Sequence, residues 1–146
     1  MLVPLDGTPT TATVLHAAVS VAWQLGASLD VLYVAAQAAP GERGSIRAPR
    51  YLDQSQHEWR QWADEVADRL MRGCAGCPLD MPIEVHFGQG DPGLEIVKFA
   101  EAGGHDAIVL ARRSRLEPGR AATLRAVLAH APCPVLVVGA TARDTV

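Results

Sequence analysis

The chain lacks the long apolar runs and the basic surplus that are typical of membrane proteins and nucleic-acid binders. No stretch of its 146 residues approaches the roughly 18–20 consecutive apolar residues of a spanning helix. Met1 is followed at once by Leu2 and Val3, without the basic segment that opens a signal peptide. The formal net charge is −3, whereas a general nucleic-acid binder needs a basic face. We therefore expect a cytoplasmic protein that engages neither membranes nor nucleic acid.

Cysteine is scarce, and its three copies do not form the pattern of a secreted disulfide scaffold. Cys74 and Cys77 have C-x-x-C spacing, but they follow a helical stretch and precede Pro78, whereas redox pairs of this spacing begin a helix. A structural zinc site would need two more ligands, and the sequence has neither a second C-x-x-C nor a histidine pair. We interpret Cys74 and Cys77 as turn residues, with redox or metal chemistry as the alternative.

Sequence signatures of catalysis are missing too. There is no G-x-S-x-G elbow, no P-loop, and no pair of carboxylates at a strand end beside a candidate nucleophile. The five histidines are scattered along the chain and form no recognisable constellation. We expect a protein that is not an enzyme.

What the chain does contain is a regular alternation of strand and helix patterns. Apolar runs predict five strands, and helical periodicity with capping residues predicts four helices between them. Strands without polar alternation are typical of parallel sheets that are covered on both faces. The predicted strands are 2–5, 29–35, 83–87, 106–110 and 135–138. Their order indicates a single α/β domain over residues 1–146, with a doubly wound, Rossmann-like, five-stranded parallel sheet and helices on both faces.

The same periodicities predict which side chains face the core. Leu25 closes the inward stripe of the first helix, Trp62 belongs to that of the second, and Leu94 opens that of the third. In the third strand, Glu84 and His86 share the polar face, which is typical of an edge strand.

Four segments resemble the universal stress protein family. They match, in the family's order, its opening strand and acidic turn, the glycine-aspartate-proline turn before its third helix, its fourth strand, and its closing strand. The segments are LVPLDG at 2–7, GDP at 90–92, DAIVL at 106–110 and HAPCPVLVV at 130–138. The resemblance covers nearly the whole chain and implies a stress-response protein with a Rossmann-like fold.

The resemblance also implies where a nucleotide would bind. Members that bind ATP carry a Gly-x-x-Gly after the fourth strand and later a Gly followed by Ser or Thr. These positions fall on Ala111, Ser114, Ala121 and Ala122, so the glycines are replaced and the intervening loop is shorter. A Cβ obstructs a backbone that must approach a ligand or adopt positive φ. Thr123 is the one candidate to replace the lost hydroxyl.

The adenine side of the site is better preserved. By resemblance, Asp6 would contact the ribose or base, Pro4 and Leu5 would line the pocket, and Val34 would pack on the adenine. An aspartate at this point also often serves only to cap a turn.

Arginines crowd the segment where the glycines are missing. Arg112, Arg113 and Arg115 either form a solvated loop or hold an anion, because guanidinium groups bind phosphate bidentately.

We interpret the protein as a non-enzymatic binding and regulatory domain with a degenerate nucleotide site and no cofactor. The alternative is a protein that binds ATP or another adenine nucleotide, in which arginines such as Arg113 replace the phosphate-binding glycines. A phosphate-dependent receiver domain is disfavoured, because Asp6 stands alone after the first strand and no lysine follows the fifth. By resemblance, we expect a homodimer paired through the last strand, Val135 to Val138.

Overall fold

Strands and helices alternate along the chain in a computed structural model that describes residues 1–5, 9–35, 56–73, 80–112 and 118–139. Each helix follows a strand and leads to the next one. The elements are β1 (Leu2–Leu5), α1 (Pro9–Leu25), β2 (Leu29–Ala35), α2 (Gln56–Gly73), β3 (Ile83–Gln89), α3 (Pro92–Gly103), β4 (Ile108–Arg112), α4 (Pro118–His130) and β5 (Val135–Gly139).

The five strands form one parallel sheet in the order β3-β2-β1-β4-β5. The predicted α/β class, strand number and parallel direction are confirmed, and β3 lies at an edge as expected. The predicted position of β4 is wrong by two residues at each end, since the strand is Ile108–Arg112. Asp106 therefore lies before the strand, and Arg112 lies within it rather than in a loop.

Two hydrophobic cores cover the two faces of the sheet. One joins α1 and α2 to the sheet, and the other joins α3 and α4 to the opposite face. The fully buried members include Val3, Leu15, Val19, Val31, Val66 and Val109 on the first face, and Leu2, Leu32, Ile108 and Val127 on the second. The burial of such side chains is the main favourable term for this arrangement.

Aromatic side chains close the first core over the β3 edge. Trp62 on α2 meets Tyr33 edge-on, with ring centroids 5.4 Å apart, and lies 5.0 Å from the ring of Phe87. The prediction that Trp62 belongs to the inward stripe of α2 is confirmed.

Two predicted core residues face the solvent instead. Leu25 is 71% exposed and Leu94 is 55% exposed. Leu25 is the last residue of α1, where the chain leaves the helix through Gly26 in a left-handed conformation. In α3 the buried positions are Gly93, Ile96 and Ala100, so Gly93 rather than Leu94 begins the inward face.

The packing of Gly93 explains why it faces inward. A Cβ on Gly93 would lie 2.7 Å from the Cβ of Ala126, closer than carbon atoms can pack. The absence of a side chain lets α3 and α4 approach closely at this point, with the glycine face turned inward. Asp91 caps the same helix by accepting a hydrogen bond from the Leu94 N–H at 3.0 Å.

Candidate functional site

The candidate site lies at the carboxyl ends of β1 and β4, where the direction of the chain across the sheet reverses. From β1 the chain proceeds to β2 and β3 on one side, and from β4 it proceeds to β5 on the other. In open α/β sheets, ligands bind in the crevice beyond the strand ends at this switch point.

Backbone pairing between β1 and β4 lies at the end remote from this crevice. Within the described residues, the register of this ladder is Leu2 opposite Ile108, and the Leu2 N–H donates to the Ala107 carbonyl at 2.8 Å. By contrast, all four residues of β1 pair with β2. The carboxyl ends of β1 and β4 are therefore the less tightly joined part of the sheet.

The described residues expected to line the adenine pocket lie towards the carboxyl ends of two paired strands, β1 and β2. Pro4 is half-buried in β1, whereas Leu5 and Val34 are both buried. Leu5 packs in the core beneath α1 and Val34 in the core beneath α3, on the opposite face of the sheet. The side chains of Leu5 and Val34 therefore point to opposite faces of the sheet. Asp6 lies outside the described residues.

On the phosphate side, the strand continues through the first position where ATP-binding members carry glycine. Ala111 is half-buried in β4 and pairs with Val138, and Arg112 pairs with Gly139. Ala111 therefore has an extended strand backbone. Its N–H is directed towards β1, because alternate residues of β4, beginning with Ile108, donate to the β5 side.

Ala121 and Ala122, which replace the family's later Gly followed by Ser or Thr, lie inside a helix. Because α4 begins at Pro118, the N–H of Ala122 is directed at the Pro118 carbonyl within the helix. Ala121 is half-buried and Ala122 is exposed. The Cα of Thr123 lies 3.7 Å from where a Cβ on Gly93 would be, so this residue sits at the contact with α3. In the first turn of α4 the backbone N–H groups have no partner within the helix, and Pro118 supplies none.

The described charge beside the carboxyl end of β4 is positive. Arg112 is exposed at the end of β4, and the first turn of α4 contains no acidic residue. The amino end of a helix adds a partial positive charge. Arg113, Ser114 and Arg115 lie outside the described residues.

A second polar group, which the sequence did not reveal, lies at the opposite end of the sheet. It consists of Asp30, Glu84, His86 and His105, hereafter the amino-end cluster. The His105 Nε2 lies 2.6 Å from Asp30 Oδ2, and the His86 Nε2 lies 3.6 Å from Asp30 Oδ1 and 3.4 Å from Glu84 Oε2. The strand register could have signalled it, since Asp30 pairs with Glu84.

The Cys133 thiol is poorly suited to chemistry. Burial raises its pKa, and the neighbouring Asp106 carboxylate raises it further. The thiol is therefore neutral near pH 7 and a weak nucleophile, because the thiolate is the reactive form. Cys74 and Cys77 lie outside the described residues.

No helix among the described residues has the length and apolar character needed to span a membrane.

Several solved structures share this fold. The protein is similar to a universal stress protein crystallised in complex with cAMP, with a TM-score of 0.65, 18% identity, and coverage of 97% of this chain and 98% of that one. It is similar to universal stress protein UspA from Lactobacillus plantarum, with a TM-score of 0.61, 26% identity and coverage of 94% of both chains. It is also similar to the universal stress protein from Archaeoglobus fulgidus in complex with dAMP, with a TM-score of 0.61, 19% identity and coverage of 93% and 94%.

A search among curated proteins gave no match. A sequence model of the universal stress protein family, in contrast, matches residues 1–139, which is nearly the whole chain. The resemblance inferred from four short segments is confirmed: the chain belongs to the universal stress protein family.

Proposed function

We propose that the protein is a cytoplasmic, non-enzymatic regulatory domain over residues 1–146 whose nucleotide site binds ATP weakly or not at all. The observation that carries this proposal is the conformation of the described residues that replace the family's phosphate-binding residues. Ala111 is held in the β4 ladder and Ala121 and Ala122 lie inside α4. The Ala122 N–H is engaged within α4, and alanine places a Cβ at positions 111 and 121, where ATP-binding members carry glycine.

The loss in affinity expected from this arrangement is large. Each hydrogen bond to a charged phosphate is worth roughly 1.5–3 kcal/mol. Loss of two or three of them would move an assumed micromolar site to the millimolar range, since about 1.4 kcal/mol is a tenfold change. The remaining apolar contribution is small, because Leu5 and Val34 are already buried in separate cores.

A second function is binding of an adenine nucleotide through arginine. Arg112 is exposed at the switch point, and guanidinium groups bind phosphate without help from the backbone. Two proteins with this fold were crystallised with cAMP and dAMP, and such ligands carry a single phosphate. This function therefore favours a monophosphate over ATP.

Titration calorimetry with magnesium-ATP, cAMP and dAMP separates the two functions. We expect no measurable heat from ATP, or a dissociation constant weaker than about 100 μM. A dissociation constant for ATP of about 10 μM or tighter would contradict the proposal and favour nucleotide binding through arginine.

Matched variants then test where a bound nucleotide lies. Arg112→Ala and Arg113→Ala should weaken binding through the phosphate, and Asp6→Ala should weaken it through the ribose or base. Arg72→Ala, which removes an exposed arginine from α2, is the control and should have no effect. Equal affinity in all four variants would place the nucleotide elsewhere on the protein.

We further propose that two copies pair through β5. This strand is the free edge of the sheet opposite β3, and its Leu136 and Val137 are 48% and 37% exposed. An apolar edge strand is a ready template for pairing with a second chain.

A further inference from the structure

The amino-end cluster combines two carboxylates and two imidazoles at the starts of neighbouring strands. Asp30 is the second residue of β2, and Glu84 and His86 are the second and fourth residues of β3. Strand alternation points all three to the same face, beneath α3. His105 reaches the cluster from the turn between α3 and β4. The cluster is at the opposite end of the strands from the candidate nucleotide crevice.

The distances around His86 are too long for hydrogen bonds. Its Nε2 lies 3.4 Å from Glu84 Oε2 and 3.6 Å from Asp30 Oδ1, whereas N–H···O bonds measure about 2.7–3.2 Å. The Nε2 atom is nevertheless buried and has no hydrogen-bond partner. A buried nitrogen directed between two carboxylates without bonding either is an unsatisfied polar group.

The distances from the His86 Nε2 are close to those expected between two ligands of a single metal ion. Two ligand atoms that each lie about 2.0–2.1 Å from a tetrahedral zinc are roughly 3.3–3.4 Å apart. The ligand atoms of Asp30, Glu84 and His86 all lie within 4.8 Å of one another. Small adjustments of the Asp30 and Glu84 side chains would bring their ligand oxygens to the same separation.

His105 fixes the orientation of the Asp30 carboxylate. Its ring is only 6% exposed and contacts Asp30 Oδ2 at 2.6 Å, and it packs 5.5 Å from the ring of Phe99. A Cβ on Gly103 would lie 2.7 Å from the His105 Nδ1, so only glycine leaves room for this ring. With its proton on Nε2, His105 donates to Oδ2 and leaves Oδ1 available to a metal. Imidazole–carboxylate pairs of this kind orient metal ligands in known sites.

We propose that the amino-end cluster binds a divalent transition-metal ion of the zinc class. Asp30, Glu84 and His86 provide three ligands, and His105 is a positioning residue. The imidazole selects zinc-like ions over magnesium, and three protein ligands leave a fourth position for water. Phe99 on α3 packs against the imidazole, with its ring 4.8 Å from that of His86.

The test uses the full chain carrying Cys74→Ser and Cys77→Ser, which removes the C-x-x-C pair as a competing site. Zinc chloride should raise the melting temperature of this protein, and magnesium chloride at the same concentration should not. Cobalt, added as a spectroscopic probe, should give the visible absorption of a low-coordinate site without the intense absorption of a thiolate ligand. Failure to bind zinc at micromolar concentration would overturn the proposal.

Two matched variants assign the binding to the cluster. Glu84 has a side chain that is 74% exposed, so Glu84→Gln should leave the metal-free melting temperature unchanged. It should lower zinc affinity by more than the roughly 10–100-fold that is typical for loss of a residue that only orients a ligand. Glu101→Gln, an exposed carboxylate on α3 outside the cluster, should bind zinc like the parent. Equal zinc affinity in Glu84→Gln and the parent would show that the ion binds elsewhere.

His105→Gln distinguishes positioning from a structural role. It should lower zinc affinity by about 10–100-fold while cobalt still gives a low-coordinate spectrum. If this variant binds zinc as tightly as the parent, His105 does not position Asp30.

Discussion

At the scale of single residues, the two polar sites of the molecule could be predicted only in part from sequence. The substitutions at Ala111 and Ala121 follow from the resemblance, but their engagement in β4 and α4 depends on where these elements begin and end. The amino-end cluster was unpredictable for a different reason. Its members Asp30 and His105 lie 75 positions apart, and only the strand register and the close packing on Gly103 bring them together.

The arginines after β4 give a test at this scale. If Arg112, Arg113 and Arg115 hold an anion, sulfate at ten times its dissociation constant should add about 1.4 kcal/mol by mass action. This corresponds to roughly 3–6 °C in melting temperature. Because sulfate also stabilises proteins in general, the comparison is between two triple-alanine variants. One removes these arginines, and the other removes Arg60, Arg69 and Arg72, which are exposed on α2. Only the first should lose the extra sulfate effect relative to chloride at equal ionic strength. Equal shifts in both variants would show a solvated loop.

Secondary-structure elements were predicted well where local signals are strong. Pro9 and Pro92 begin helices, and Asp91 caps α3 as expected from sequence. Periodicity failed for Leu94 because it gives the phase of a helix only to within about one position. The close approach of Gly93 to Ala126 on α4 determines which face of α3 turns inward. The sequence of α3 alone does not reveal this contact between two helices.

The same contact predicts the effect of adding one methyl group. Gly93→Ala would force the new Cβ to within 2.7 Å of the Ala126 Cβ, so we expect the free energy of unfolding to fall by about 1–3 kcal/mol. Urea denaturation measures this. Ala126→Gly alone should cost about 1 kcal/mol through lost helix propensity, but in the Gly93→Ala background it should restore stability. Ala122→Gly, at an exposed position of the same helix, is the control and should not restore it. Unchanged stability in Gly93→Ala would mean that α3 and α4 separate easily.

At the scale of the whole molecule, the α/β class and the parallel sheet could be predicted because apolar strands alternate with capped helices. The strand order could not be predicted, because the sequence of Leu2–Leu5 does not indicate that this strand pairs with both β2 and β4. How many copies assemble depends on surface that sequence periodicity does not reveal.

The exposed β5 edge predicts a homodimer. Light scattering at micromolar concentration should give twice the chain mass of 15.5 kDa. Leu136→Lys and Val137→Pro should shift the protein towards monomer, because they place a charge on the edge or remove a ladder donor. Leu94→Lys, which alters another exposed leucine on α3, is the control and should remain dimeric. A monomeric parent protein would refute pairing through β5.

The short ladder between β1 and β4 has a mechanical consequence. Since the described register of these two strands is Leu2 opposite Ile108, any opening of the crevice would pivot β4 and β5 about the amino end of the sheet. The bond from His105 to Asp30 spans that pivot, because β1 lies between β2 and β4. A cation on Asp30 would stiffen the hinge and change how widely the crevice opens at the far end. By reciprocity, a molecule wedged into the crevice would alter cation affinity by the same factor.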